Sequence, residues 1–210
     1  MQNCRRSYVV MDKDEGIEFE VDNEYIMSAA DLCTIDFLDK IIKSGVSVLK
    51  IEGRGRSADY VFTTTQCYRE AIDSYYDGTF TAEKVINWKE RLATVFNRGF
   101  WDGYYLGRKM GEWSDNPGSK ATKRKVYIGK GVKFYDEAGI GEFFIEAQGV
   151  RVGDELLITG PTTGVIETTL TSMRVEDEPA EQVKRGVTIT FPIREKIRPS
   201  DKLYKLVPVE

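Results

Sequence analysis

The chain has 210 residues, of which 41% are hydrophobic and 30% are charged, proportions that are typical of a globular protein. It contains no histidine, which excludes Ser-His-Asp and Cys-His hydrolases as well as HExxH zinc peptidases. Thirty basic and 34 acidic residues give a net charge of −4, which argues against a protein that coats nucleic acid through bulk charge.

The three cysteines, Cys4, Cys33 and Cys67, are an odd number and form no CxxC motif. This pattern predicts no disulfide framework and favours a reduced, cytoplasmic setting. Apolar runs are only a few residues long, and the chain does not open with a basic region followed by an apolar one. The sequence therefore predicts neither a membrane span nor a secretory signal.

The first elements in chain order alternate between strand and helix signals. Residues 8–11 and 17–21 are typical of strands, the second by clean alternation of polar and apolar side chains. Ser28 begins a sequence that resembles a capping box. Apolar residues between 32 and 42 then form one face of a predicted helix, which Gly45 is placed to end.

The alternation continues to about residue 95. Residues 46–51 (VSVLKI) predict a strand, and residues 58–76 predict a helix with an apolar inner face. Asp77 and Gly78 break this helix, and Thr81 can cap another one. Helices alternating with strands indicate βα units with parallel pairing, but too few for a complete βα barrel, which needs about 200–250 residues.

Composition changes near residue 120, after a segment rich in turn residues (residues 111–120). The second half holds five of the six prolines and carries 14 charges of each sign. It has no convincing helix, and its short apolar runs predict a small antiparallel barrel or sandwich. Six strands are predicted, at residues 125–128, 142–147, 155–159, 165–168, 186–191 and 202–206.

The predicted fold class is therefore α+β. Residues 1–78 are assigned to a partial βα segment similar to a TIM barrel, and residues 79–118 to a helical connector. Residues 119–210 are assigned to a small antiparallel β barrel. The first segment would have open sheet edges, so we expect it to be the tail of a larger domain.

Three charged residues follow the strand predicted at 46–51, on the loop that enters a helix. Glu52 is a candidate general base or ligand, and Arg54 and Arg56 are candidate substrate-binding residues for a phosphate or carboxylate. A βα barrel keeps its active site at such loops. The alternative is a structural loop in which Glu52 pairs with an arginine.

A basic stretch enters the second half and is a candidate nucleic-acid contact: Lys120, Lys123, Arg124 and Lys125. The alternative is an ordinary cluster of linker charges. Aromatic side chains between residues 96 and 105 could stack on bases, or pack a domain junction.

Several segments together resemble the collagenase-like peptidase family of unassigned catalytic type, peptidase family U32. The resemblance extends along essentially the whole chain, in the family's order. The segments are residues 3–6 (NCRR), 28–33 (SAADLC), 49–54 (LKIEGR), 57–61 (SADYV), 68–73 (YREAID) and 96–100 (FNRGF) with Gly103.

The resemblance implies a larger βα barrel, most of which would precede Met1, so the chain is expected to be the carboxy-terminal portion. It implies that Cys4 and Cys33 are two of four ligands of an iron–sulfur cluster in the full-length protein, since thiolates suit such clusters. The alternative is two buried thiols. Two cysteines cannot hold a cluster alone, so none is expected in this chain by itself.

Arg5 and Arg6 beside Cys4 could tune such a cluster or bind a negative ligand, or be solvated charges. The second half is similar to the second domain of translation elongation factors, which implies RNA as a partner. Some members of the family that the chain resembles support hydroxylation of tRNA bases, so the resemblance implies that the full-length protein supports hydroxylation of a tRNA uridine. The alternatives are peptide hydrolysis, with a peptide substrate, and a binding module without activity.

Overall fold

The computed structural model describes residues 8–21, 29–107 and 118–209. These residues form two compact units. Unit 1 consists of the described residues up to Arg54 and of Thr63–Thr122, and unit 2 consists of Gly55–Phe62 and the described residues from Lys123 onward. Among the described residues, no helix is both long and apolar enough to cross a membrane.

Unit 1 combines short strands with helices. Its strands are β1 (Tyr8–Met11), β2 (Glu18–Val21), β3 (Asp31–Leu32) and β4 (Phe100–Trp101). Its helices are α1 (Leu38–Lys43), preceded by a 3-10 turn at Ile35–Phe37, α2 (Ala58–Tyr76), whose first residues belong to unit 2, and α3 (Ala82–Thr94). β1 pairs with β2 antiparallel, and β3 pairs with β4 parallel.

The helix predictions for unit 1 are confirmed in their main features. Helix α2 has the predicted bounds, and the Thr81 hydroxyl accepts a hydrogen bond from the Lys84 amide at the start of α3. The helix predicted from residue 32 begins later, because Asp31 and Leu32 pair with β4 instead. Gly45 follows α1 with φ of +89°, as its predicted role requires. Ser28 lies outside the described residues.

The strand predicted at residues 46–51 is wrong, since these residues have no regular secondary structure. Val46 and Val48 are 47% and 81% exposed. A run with strand propensity forms a strand only where a neighbouring strand accepts its hydrogen bonds, and none of the described strands pairs with it. The parallel pairing expected in this half is instead made by β3 and β4.

The core of unit 1 lies where one face of each helix meets the segment after β3. Helix α3 places apolar side chains three or four residues apart, which puts them on one face. The buried residues of this core are Cys33, Ile35, Leu38, Cys67, Ala71, Val85, Trp88 and Leu92.

Unit 2 is dominated by an antiparallel sheet of eight strands. Their hydrogen-bonded order is β11-β10-β13-β6-β5-β14-β8-β9. The strands are β5 (Lys123–Tyr135), β6 (Ile140–Ile145), β8 (Glu155–Gly160), β9 (Gly164–Thr169), β10 (Met173–Val175), β11 (Glu178–Ala180), β13 (Thr188–Pro192) and β14 (Lys202–Pro208). A separate pair joins β7 (Val150–Arg151) to β12 (Gln182–Val183).

All six strands predicted for the second half are confirmed, and no helix occurs between residues 118 and 209. The chain is thus mixed α and β, with helices in unit 1 and an antiparallel sheet in unit 2. Within the described residues β9 and β11 end the sheet order and do not pair with each other. Closure into a barrel therefore stays a prediction, as does the partial βα barrel of residues 1–78.

Two glycines allow strand β5 to pass close to neighbouring backbone. A side-chain carbon on Gly129 would lie 2.1 Å from the carbonyl oxygen of Phe144, and one on Gly131 would lie 2.6 Å from that of Arg198. The pairing of β5 with β6 shifts between Gly131 and Lys133. Strand β5 contributes Ile128 to the core of unit 2, whose buried residues are Ile128, Phe143, Ile145, Val150, Leu156, Ile158, Ile166, Leu170, Met173, Ile189, Phe191, Ile193, Ile197 and Leu203.

Candidate functional site

Cys33 lies at the carboxyl end of the parallel strand pair. Its amide donates a hydrogen bond to the carbonyl of Trp101 at 2.9 Å, which continues the pairing of β3 with β4 by one residue. Folds built from βα units place their active sites at the carboxyl ends of parallel strands. The thiol predicted as a cluster ligand is therefore at the end of the pair where a βα site would form.

The Cys33 side chain is 5% exposed and has the Tyr68 hydroxyl as its polar neighbour. The two atoms are 3.9 Å apart, with the hydroxyl donating to sulfur. The same hydroxyl accepts a hydrogen bond from the Thr34 amide at 3.0 Å and lies 3.2 Å from the Thr34 hydroxyl. Tyr68 on α2 thus fixes the segment that carries the thiol.

Burial raises the pKa of the Cys33 thiol above its ordinary value, although hydrogen bonds from Tyr68 and the backbone lower it in part. Burial also raises the pKa of Tyr68, and its second cause is the nearby Cys33. Both groups are therefore protonated at neutral pH. A metal that binds Cys33 has to displace this proton, as it does at any thiolate site.

The described residues supply one suitable thiol for an iron–sulfur cluster and not four. Cys67 is fully buried in the core of unit 1, and its thiol donates to the carbonyl of Trp88 at 3.8 Å. No group of three His, Cys, Asp or Glu side chains within the described ranges could hold a metal ion. Cys4, Arg5 and Arg6 lie outside the described residues, so their predicted roles stay predictions.

Glu52 stabilises its own loop in the structure. Its side-chain oxygen accepts a hydrogen bond from the Arg54 amide at 2.7 Å, and its side chain is exposed. An exposed carboxylate that bonds to a backbone amide two residues ahead is a common turn arrangement. The structural alternative predicted that Glu52 pairs with an arginine. The structure shows a hydrogen bond from the backbone amide of Arg54 to Glu52.

Arg56 belongs to unit 2 and lies two residues before the start of α2. Its guanidinium lies 4.9 Å from the centre of the Tyr60 ring, four residues ahead. Such cation–π contacts hold a guanidinium flat against an aromatic face. The structure thus gives Glu52 and Arg56 separate local partners, and their proposed catalytic and substrate-binding roles stay predictions.

The basic stretch at the start of β5 is partly neutralised. Lys123 forms an ion pair with Glu155, and the Lys125 ammonium lies 2.6 Å from an Asp59 carboxylate oxygen. Arg124, between them in sequence, is exposed. Of these three cations, Arg124 is the one best placed to meet a phosphate.

The sequence predicts the helix that carries Tyr68 but does not predict the contact of Tyr68 with Cys33. The two residues are 35 positions apart, and no spacing rule connects a cysteine after a strand with a tyrosine of a later helix. Cys33 and Tyr68 each lie in a segment that resembles the family, residues 28–33 and 68–73. This shared resemblance is the one sequence signal that could have linked the two residues.

Comparison with known proteins gives a consistent set of relatives. A family model described as Peptidase family U32 matches residues 1–115. A collagenase of Porphyromonas gingivalis is 52% identical over 97% of this chain and 49% of its own length. An uncharacterized protease of Methanocaldococcus jannaschii is 32% identical over 98% of this chain and 51% of its own length. The tRNA hydroxylation protein P1 of Bacillus subtilis is 28% identical over 97% of this chain and 50% of its own length.

The chain thus spans about half the length of the curated relatives it matches. The residues matched by the family model include both Cys33 and the Glu52 loop, and they make up more than half of the chain. The collagenase and tRNA hydroxylation relatives match it along nearly all of its length. The chain belongs to peptidase family U32.

Proposed function

We propose that this chain is the carboxy-terminal portion of a protein that supports hydroxylation of a tRNA uridine. The observation that carries the proposal is the position of Cys33 at the carboxyl end of the parallel pair β3–β4. Relatives named for tRNA hydroxylation support it, since one is similar along 97% of the chain.

In this proposal Cys33 and Cys4 supply two of the four thiolates that hold an iron–sulfur cluster in the whole protein. When bound, such a cluster supplies one-electron transfer. Tyr68 is then a positioning residue, because its hydroxyl already donates towards the Cys33 sulfur and would stabilise the thiolate form.

The cluster proposal is tested by anaerobic reconstitution of the whole protein with iron and sulfide. We expect a broad absorption band near ~400 nm, typical of thiolate-ligated iron. Cys33→Ala should abolish the band and lower the iron bound per protein. Cys67→Ala is the matched control, because Cys67 is an equally buried thiol that contacts a backbone carbonyl. A band that persists in Cys33→Ala contradicts the ligand assignment.

RNA binding is proposed for the start of β5, through Lys123, Arg124 and Lys125. Retention of tRNA should weaken as salt concentration rises. Arg124→Gln should weaken it more than Lys123→Gln, because Lys123 already pairs with Glu155. Binding measured by filter retention at several salt concentrations checks this, and equal effects of the two variants contradict it.

Peptide hydrolysis is the second candidate, favoured by 52% identity to a protein named collagenase. In this candidate Glu52 is the general base, and Arg54 and Arg56 bind the peptide. Glu52→Gln is a sharp test, because an amide oxygen can still accept the hydrogen bond from Arg54 while the base is lost. Gelatin or casein hydrolysis by the whole protein should fall in this variant. Hydrolysis at the parental rate removes Glu52 from the mechanism.

A further inference from the structure

A cleft opens at one end of the unit 2 sheet, where two neighbouring strands separate. Strand β10 pairs with β13 at Arg174 and Thr190, and β13 pairs on its other side with β6 as far as Pro192 and Ile140. Pro192 has no amide hydrogen to offer a further partner. The cleft measures about 860 Å³, within the range of sites that bury a ligand.

The floor and sides of the cleft are mostly apolar. Phe191, Met173, Ile140, Pro179 and Pro192 line it, together with the ring of Tyr135. Phe191 and Met173 are each 2% exposed. The Phe191 ring also stacks on Phe143 in the core, with ring centres 4.7 Å apart, so the floor is held rigidly.

The turn between β10 and β11, beside the cleft, carries more acidic than basic groups. Asp177 lines the cleft in the turn between β10 and β11, where it lies between Glu176 and Glu178. The Tyr135 hydroxyl donates to Glu142 at 2.9 Å. The three carboxylates of the turn, together with Arg174, which also lines the cleft, leave a net formal charge of −2.

Arg174 offsets one of these charges and also orders the turn. Its guanidinium donates to the backbone carbonyl of Asp177 at 3.2 Å, so it fixes the hairpin that carries the three carboxylates. Glu176 and Asp177 have φ of 48° and 67°, a conformation that matches the turn of a tight hairpin. The acidic turn is thereby held beside the apolar floor.

We infer that this cleft binds an extended peptide in which an apolar side chain lies next to a lysine or arginine. The apolar floor accepts the first side chain, and the acidic turn attracts the second. A phosphate backbone would be repelled by the same carboxylates, which separates this site from the RNA contact proposed for β5. The inference is independent of the proposed hydroxylation function, because it uses neither Cys33 nor the cluster.

The test is fluorescence anisotropy of the 210-residue chain titrated into a labelled octapeptide that alternates leucine with lysine. We expect saturable binding, and weaker binding to matched peptides with glutamate in place of lysine or serine in place of leucine. Absence of saturation at about 1 mM protein overturns the inference. Equal affinity for the glutamate peptide, or tighter binding of a single-stranded RNA of eight nucleotides, also overturns it.

Two variants locate the peptide on the cleft. Ala138→Trp fills the cleft from an exposed turn, and we expect at least about a tenfold loss of affinity, since it blocks the apolar floor. Glu137→Trp, one residue earlier and outside the lining, is the control. Asp177→Asn should weaken binding about fivefold, because asparagine tolerates the positive φ and removes only the charge.

Asp136→Asn is the control for charge, since Asp136 pairs with Lys196 and does not line the cleft. Circular dichroism of each variant checks that the sheet is intact. Unchanged affinity in folded Ala138→Trp overturns the assignment to this cleft.

Discussion

Replacing Tyr68 with phenylalanine removes the hydroxyl that joins α2 to the segment carrying Cys33. The Thr34 amide, which donates to this hydroxyl at 3.0 Å, then loses its acceptor in a partly buried position. An unsatisfied buried donor costs about 1–3 kcal/mol, and partial burial places this one near the lower end of that range. We expect Tyr68→Phe to lower the free energy of unfolding by about 1–2 kcal/mol.

The same substitution changes the chemistry of the thiol. The hydroxyl hydrogen bond lowers the pKa of Cys33, so its loss raises that pKa further, and the midpoint of iodoacetamide labelling against pH should move upward. Burial raises the pKa of Cys33 above that of an unfolded thiol, so the contribution of the buried, protonated thiol to folding stability is complete below the ordinary thiol pKa. It is lost as pH rises through the raised value.

Urea titration followed by circular dichroism measures the stability, and mass spectrometry of the labelled peptide measures the thiol. Tyr76→Phe is the matched control on the same helix, because Tyr76 is 73% exposed. If Tyr68→Phe leaves both the unfolding free energy and the labelling midpoint unchanged, the proposed link between Tyr68 and Cys33 is refuted.

Three further predictions concern single contacts elsewhere in the chain. The hydrogen bond to Glu146 raises the pKa of Tyr127 to about 12, so in an ultraviolet titration Glu146→Gln should move one of the late-titrating tyrosines back towards 10. The stability from this bond is complete below pH 10 and is lost as the pH rises towards about 12. Gly160→Ala should destabilise unit 2 by about 1–3 kcal/mol in urea titration, because the added carbon would lie 1.8 Å from a buried Asp201 oxygen. Thr81→Ala should cost about 1 kcal/mol by removing the cap of α3, and an unchanged thermal midpoint would contradict the cap.

Elements with strong local signals could be predicted from the sequence. Helix α2 combines a long apolar face with a break at Asp77 and Gly78, and the predicted helix from about residue 58 to 76 agrees with it. The strands of unit 2 lie between glycine and proline turns, which separate them clearly. Such local patterns need no knowledge of distant partners.

Elements that depend on distant partners could not be predicted. Strands β3 and β4 have two residues each, too few for any periodicity, and they exist because each completes the other's hydrogen bonds across 67 intervening positions. Residues 46–51 show the reverse case. Their strand propensity is strong, but none of the described strands pairs with them, and they form no strand. The contact between Cys33 and Tyr68 was missed for the same reason, whereas the thiol itself was identified from its neighbours in sequence.

The division of the chain into two units separates its natural fluorescent probes. All three tryptophans, Trp88, Trp101 and Trp113, fall in the stretch between residues 63 and 122, and the sequence of unit 2 contains none. Trp88 is also buried in the core of unit 1, so its emission will shift to longer wavelength when that core opens. The emission of Trp88 therefore follows the melting of unit 1, while the β-sheet signal of unit 2 can be followed in the same sample.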